Sequence, residues 1–295
     1  MAYLLAITLL WAFSFSLIGV YLAGQVDPWF SVLLRIILAT LVFLPFTKFK
    51  GIETALKLKL MAIGAVQLGL MYVFYYHSFI YLTVPEVLLF TILTPIYITL
   101  LNDLLDHRFN SKFFISALLA VAGAFAIRFE NISSDFVIGL LLVQAANLCF
   151  ATGQVTYKRL ITNLDSQSAT ENKEQPSHFK QHQVFGWFFI GASIVASLCY
   201  LLFGDSNKLP TTSVQWSVLI YLGIVASGIG YFIWNKGATL VDVGTLAVMN
   251  NLLIPAGIIV NLLIWNKDAD IMRLMLGGGV IVLALFFSRT KRTVI

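Results

Sequence analysis

Arg35 is the basic residue that falls inside an apolar span instead of a polar joint. It follows Trp29 by six positions, which at 1.5 Å per residue puts it about 9 Å into its helix. A charge at that depth is expensive and marks a functional position by default. The chemistry it offers is a clamp on a carboxylate. Its structural alternatives are an internal partner for Glu86, a donor to helix-end carbonyls, or a side chain that snorkels to the nearer interface. Glu86 offers a proton-coupling carboxyl. Yet Thr83-Val84-Pro85-Glu86 also reads as a capping box with proline inside its start. Asp242 holds the matching place later in the chain, as an N-cap. A helix N-terminus that begins within the membrane presents free N–H groups and a positive dipole end, which suit an anionic group.

Amides form the second set. Gln144, Asn147 and Gln154 share a stripe with Lys158 below them, and Asn250 and Asn251 lie in mid-span just before Pro255. In lipid such groups must find partners, either on neighbouring helices or on the wall of a wet cavity. Thr91 can instead bond back to its own helix. Aromatics form the third set: Trp11, Phe13 and Phe15, then Tyr72, Phe74, Tyr75 and Tyr76, then Tyr231 and Trp234. Tyr72, Tyr75 and Phe79 fall on one helical face, as a stacking wall for a flat ring or as ordinary packing and interfacial belt. Catalysis finds little support. Of the four histidines only His77 lies in a span, and no carboxylate or histidine cluster has metal-ligand spacing. The runs Gly191-Ala192-Ser193 and Ala226-Ser227-Gly228 lack a later histidine to act as base. Neither enzyme activity, metal nor cofactor is expected.

The elements that must position these residues are membrane helices. Of 295 residues, 59% are hydrophobic and only 11% charged, where a soluble domain carries about 25% charge. About 20 apolar residues cross a bilayer core. The sequence predicts an all-α membrane protein with ten spans near 2–22, 29–46, 60–81, 84–104, 113–128, 136–159, 184–204, 214–233, 240–265 and 271–288. The first is read as a retained helix, because no basic segment precedes it and no cleavage site follows. Cys149 and Cys199 both lie in spans and read as small core residues. The net charge of +5 is scattered through loops, which argues against a nucleic-acid partner.

Two halves emerge, 1–128 and 136–288, with the polar loop 160–183 between spans six and seven. Thr83-Val84-Pro85-Glu86 runs into Phe90-Thr91-Ile92-Leu93-Thr94-Pro95, as Asp242-Val243-Gly244-Thr245 runs into Asn250-Asn251-Leu252-Leu253-Ile254-Pro255. Tyr72-Val73-Phe74-Tyr75 resembles Tyr231-Phe232-Ile233-Trp234. Halves with five spans each must be inverted relative to one another, an arrangement used for alternating access. Fourteen lysines and arginines fall on one side and four (Arg128, Lys208, Lys267 and Arg273) on the other. Both termini and the central loop are therefore expected in the cytoplasm. Gly123 and the run Gly277-Gly278-Gly279 put small residues in spans five and ten, for helix packing or for a homodimer contact.

Ten spans, inverted five-helix repeats, and a proline midway along spans four and nine resemble the EamA branch of the drug/metabolite transporter superfamily. Longer runs are similar to the bacterial biotin permeases of that branch. They include Leu10-Trp11-Ala12-Phe13-Ser14-Phe15-Ser16, Leu93-Thr94-Pro95, Val225-Ala226-Ser227-Gly228-Ile229-Gly230-Tyr231-Phe232 and Met249-Asn250-Asn251. The resemblance covers nearly the whole chain. It implies a permease of the bacterial inner (plasma) membrane that imports biotin by alternating access through a central cavity.

Biotin combines a carboxylate, a ureido group and a flat apolar bicycle. Arg35 or a helix N-terminus can hold the first, with Glu86 beside that terminus. Asn147, Gln154, Asn250 and Asn251 can satisfy the second. Trp11, Tyr72, Tyr75 and Trp234 can wall the third. Such pockets pair apolar walls with a few convergent polar groups. The rival within transport is an EamA-type exporter of amino acids or related metabolites. The rival of another class is a membrane scaffold or sensor, against which the shortness of loop 160–183 weighs.

Overall fold

A computed structural model of the chain describes residues 1–82, 87–88, 90–127, 136–170, 180–265 and 271–288. Among these the regular structure is helical throughout, without a strand. The helices are α1 (Ala2–Tyr21), α2 (Pro28–Phe43), α3 (Thr54–Tyr81), α4 (Thr94–Asp106), α5 (Ser111–Ile127) and α6 (Phe136–Thr170). They continue as α7 (Gln181–Phe203), α8 (Ser213–Thr239), α9 (Val243–Asn251), α10 (Leu253–Trp265) and α11 (Ile271–Ser288). Six of them (α1, α2, α3, α6, α7 and α8) contain stretches long and apolar enough to cross a bilayer. Shorter apolar helical stretches lie in α5, across α9 and α10, and in α11.

Local chemistry explains several boundaries. Gly24 adopts a left-handed φ of 72° in the turn after α1, a conformation that only glycine adopts without strain. Asp27 then caps α2 by accepting from the Phe30 N–H at 2.8 Å, with Pro28 inside the first turn. Asp242 caps α9 as its sequence position suggests, accepting from both the N–H and the hydroxyl of Thr245. Thr83 and Glu86 lie outside the described residues, and so does their capping box.

One boundary differs from expectation. The sequence puts a polar loop from 160 onward, whereas α6 continues to Thr170. Leu160, Ile161 and Leu164 repeat at helical spacing and pack on the main core, Ile161 fully buried. The hydroxyls of Thr162 and Ser166 bond back to carbonyls one turn earlier. These contacts offset the polar composition that suggested a loop.

The packing sorts the helices into two groups. In the first, α2 and α3 pack on α7, and α2 packs on α8. In the second, α4, α5 and α11 pack around α9, with α5 lying along α11. Gly123 makes that last approach possible, since a Cβ there would stand 2.7 Å from the Gly277 carbonyl. Bridging the groups, α1 touches α8 and α10 while α6 touches α3 and α4. A cavity lies where the groups and bridges converge.

Candidate functional site

That cavity has a volume of about 100 Å³, and it pairs apolar walls with a few convergent polar groups as small-molecule sites do. On one side α1 contributes Trp11, Ser14, Phe15 and Ile18, α2 contributes Arg35, and α3 contributes Met71, Tyr72 and Tyr75. Opposite them stand Ala146, Asn147 and Phe150 of α6, Thr91 and Thr94 at the start of α4, and Tyr231, Asn250 and Leu253. Six aromatic residues, Trp11, Phe15, Tyr72, Tyr75, Phe150 and Tyr231, belong to this wall. Trp11 meets Tyr231 at 5.1 Å and Trp234 at 4.9 Å between centroids, and Phe15 meets Tyr75 edge-on at 5.4 Å.

Arg35 is the charge of the site. Its residue is 2% exposed, and its partners among the described residues are three neutral hydroxyls. Nη1 donates to the Tyr76 hydroxyl and Nη2 to the Tyr72 hydroxyl, both at 2.7 Å. Nε and Nη2 both donate to Ser227 Oγ, at 3.2 and 3.0 Å. The guanidinium carbon also lies 4.3 Å from the centre of the Tyr72 ring, a favourable position for a cation. Hydroxyls orient a guanidinium but leave its charge unneutralised. Buried charges are ordinarily paired with opposite ones, so the arrangement favours an anion arriving in the cavity.

Ser227 reaches Arg35 because α8 is π-helical over Leu222–Ile229. A π stretch loosens the regular backbone pairing, and here the Ala226 carbonyl accepts from Trp11 Nε1 at 2.9 Å. The same stretch thus anchors an aromatic wall residue and positions a partner of the buried cation.

The amides behave differently. Before α4 the chain makes a short 3-10 turn over Thr91–Leu93, and Pro95 has no N–H to return to the Thr91 carbonyl. That carbonyl accepts instead from the Thr94 hydroxyl at 2.7 Å. Asn147 and Gln144 donate to the Phe90 carbonyl at 2.9 and 3.2 Å, and Asn251 donates to the Ile92 carbonyl at 3.0 Å. Gln154 and Asn250 exchange bonds at 3.2 and 3.3 Å, and Gln154 also accepts from Trp234 Nε1 at 3.1 Å. These side chains hold the broken helices in place.

Of the candidate residues, the structure brings Trp11, Arg35, Tyr72, Tyr75, Asn147 and Asn250 to the cavity wall. Gln154, Trp234 and Asn251 stand behind it, buried and bonded to their neighbours. Glu86 lies outside the described residues. Sequence reasoning gave Ser14, Tyr76 and Ser227 no binding role, naming Tyr76 only among the aromatics and Ser227 only as a nucleophile without a base. Ser14 lines the cavity with a buried hydroxyl that has no partner among the described residues. Tyr76 was legible as one helical turn beyond Tyr72, both tyrosines facing one buried arginine. Ser227 carried no signal, because only the fold brings α8 beside α2.

The fold and the site together define a class: a helical membrane protein with an internal, aromatic-walled cavity and a buried cation facing it. The EamA-like transporter family matches the chain twice, over residues 1–129 and 137–290. The chain belongs to that family. It is 53% identical over 292 residues to a protein of Pseudomonas aeruginosa named probable biotin transporter, covering 99% of this chain and 98% of the relative. It is 49% identical to the biotin transporter of Salmonella typhimurium and 48% identical to that of Escherichia coli K12. Each match covers 98% of this chain and 93% of the relative. A solved crystal structure shares the fold at a TM-score of 0.74 and 19% identity, over 97% of this chain and 96% of its own.

Proposed function

We propose that this chain imports biotin across the bacterial inner membrane by alternating access. In this reading ten spans form two inverted five-helix repeats, 1–128 and 136–288, with both termini in the cytoplasm. The observation that carries the reading is Arg35: a buried guanidinium at the cavity, held only by neutral hydroxyls among the described residues. The biotin carboxylate is its counter-charge. Trp11, Phe15, Tyr72 and Tyr75 wall the apolar bicycle, and the Ser14 hydroxyl with the face of Asn147 meets the ureido group. Relatives that share about half their residues with this chain over nearly its full length and are named for biotin support the substrate.

Uptake of labelled biotin at nanomolar concentration into auxotrophic cells lacking their own transporter tests this reading. Saturable uptake, blocked by excess unlabelled biotin, is the expected result. Absent uptake with the protein present in the membrane would sink the substrate assignment and favour export. Glu86 is the candidate for proton coupling. If it carries the proton, Glu86→Gln abolishes accumulation against a gradient while leaving exchange intact. The glycines of α5 and α11 are the candidate homodimer contact, with Gly278 and Gly279 open to added side chains and Gly277 packed on Gly123.

A further inference from the structure

A second cavity of about 160 Å³ lies beside the first, toward the turn between α1 and α2. Ile18 lines both cavities. So the two are separated by little more than one layer of side chains. Tyr76 forms part of the outer wall, and its hydroxyl is the one that accepts from Arg35 Nη1. The cation of the inner cavity therefore sits one hydrogen bond away from the outer one.

The outer cavity has its own polar groups. Ser31 stands one turn before Arg35 on the same face of α2. It is fully buried, and its hydroxyl has no partner among the described residues. Pro28 and Ser31 bring the first turn of α2 to the cavity, a turn already capped by the Asp27 carboxylate. Lys208 lies at the rim, its carbonyl accepting from the Asp27 N–H at 2.7 Å. That bond uses only the main chain of Lys208 and leaves its ammonium for other work. The nearby acids do not line the cavity: Asp27 accepts from Phe30 N–H, and Asp205 accepts from Asn207. A lysine and an unpartnered buried hydroxyl converge on one space, with Tyr76 linking it to Arg35.

We infer that this outer cavity is a capture subsite for a carboxylate anion, which passes from Lys208 and Ser31 across Tyr76 to Arg35. The inference rests on the uptake reading above, with the Lys208 side facing outward. The sequence of sites follows the gradient of burial, from an exposed ammonium through a buried hydroxyl to a buried guanidinium. Long-range attraction acts at the rim, where it speeds encounter, and desolvation is completed only at Arg35.

The test measures initial uptake of labelled biotin against concentration, at low and high salt, with membrane levels of each variant quantified. Lys208→Glu is expected to raise the half-saturating concentration about fivefold, with the maximal rate kept within a factor of about two. Lys208→Gln is expected to fall between, and Ser31→Ala to raise half-saturation about threefold. Salt is expected to raise half-saturation for the parent protein and to have little effect on Lys208→Gln. Unchanged half-saturation in Lys208→Glu and Ser31→Ala, with normal uptake by the parent, overturns the subsite and leaves biotin import standing. A fall in maximal rate alone also overturns it. No uptake by the parent protein overturns both.

Discussion

In α3 the π-helical turns Ala65–Leu70 lie between Gly64 and the α-helical residues from Met71 onward, and in α8 the π-helical turns Leu222–Ile229 contain Gly223 and Gly228. Gly64 and Gly69 are spaced like Gly223 and Gly228, and Tyr72 follows its helix's first glycine as Tyr231 follows its own. The two tyrosine rings meet at 5.8 Å. Their neighbours differ. A Cβ at Gly64 would overlap the Phe188 carbonyl, and one at Gly191 would overlap the Met61 carbonyl, so α3 and α7 touch backbone to backbone. A Cβ at Gly223 would instead meet the Leu38 side chain at 2.8 Å and Arg35 Cα at 3.3 Å. Between α2 and α8 there is room for side-chain chemistry, and Ser227 uses it to reach Arg35. The π stretch of α3 serves close packing, whereas that of α8 itself supplies Ser227 to the buried charge.

Replacing the charge should have the largest effect. Arg35→Met is expected to lower biotin uptake at least about hundredfold, because a buried charge-assisted contact is lost. Arg35→Lys should recover little, since an ammonium cannot span three hydroxyls as a fork does. Uptake near the parent level in either variant would mean that the π stretch of α8 is also only packing.

Glycine substitution separates the two interfaces by stability. Gly64→Ala or Gly191→Ala should destabilise the solubilised protein by about 3 kcal/mol or more, since backbone must move. Gly223→Ala meets Leu38 at 2.8 Å, a milder overlap than at Gly64 or Gly191, and should lose about 2 kcal/mol in the same thermal-unfolding series. Equal losses at both interfaces would erase the distinction.

Ser227→Ala is expected to keep the fold and raise half-saturation for biotin about tenfold, because two guanidinium donors lose their acceptor. The smallest effect belongs to the bond between Thr40 of α2 and Ser193 of α7, 2.8 Å between hydroxyls. A double-mutant cycle of Thr40→Val and Ser193→Ala should give a coupling of about 0.6 kcal/mol. A coupling several times larger would make this polar contact, rather than apolar packing, the main tie between α2 and α7.

Particular residues show how far the sequence could be read. Arg35 stood out because a charge in an apolar span needs a reason. Asp242 was legible as a cap because capping is decided within four residues, whereas the Asp27 cap of α2 emerged only with the structure. The spacing of Tyr72 and Tyr75 put them on one face before any partner was known. The amides were harder. Asn147, Gln154, Asn250 and Asn251 were recognisable as groups that must be satisfied, but not by what. Their acceptors are the Phe90 and Ile92 carbonyls just before α4, the Leu246 carbonyl within α9, and each other. The extension of α6 through Thr170 was hidden in the same way, because it depends on Ile161 finding the core.

The sequence by itself therefore determined the membrane character of the chain, its apolar spans, the Asp242 cap, and the presence of a costly buried cation. Those are consequences of composition and short-range spacing, which act along the chain. Tertiary structure alone decided that Arg35 meets Tyr72, Tyr76 and Ser227, that the amides brace broken helices, and that a second cavity adjoins the first. Each of these joins residues far apart in the chain, and hydrogen bonds and close backbone approach are settled by distance in space.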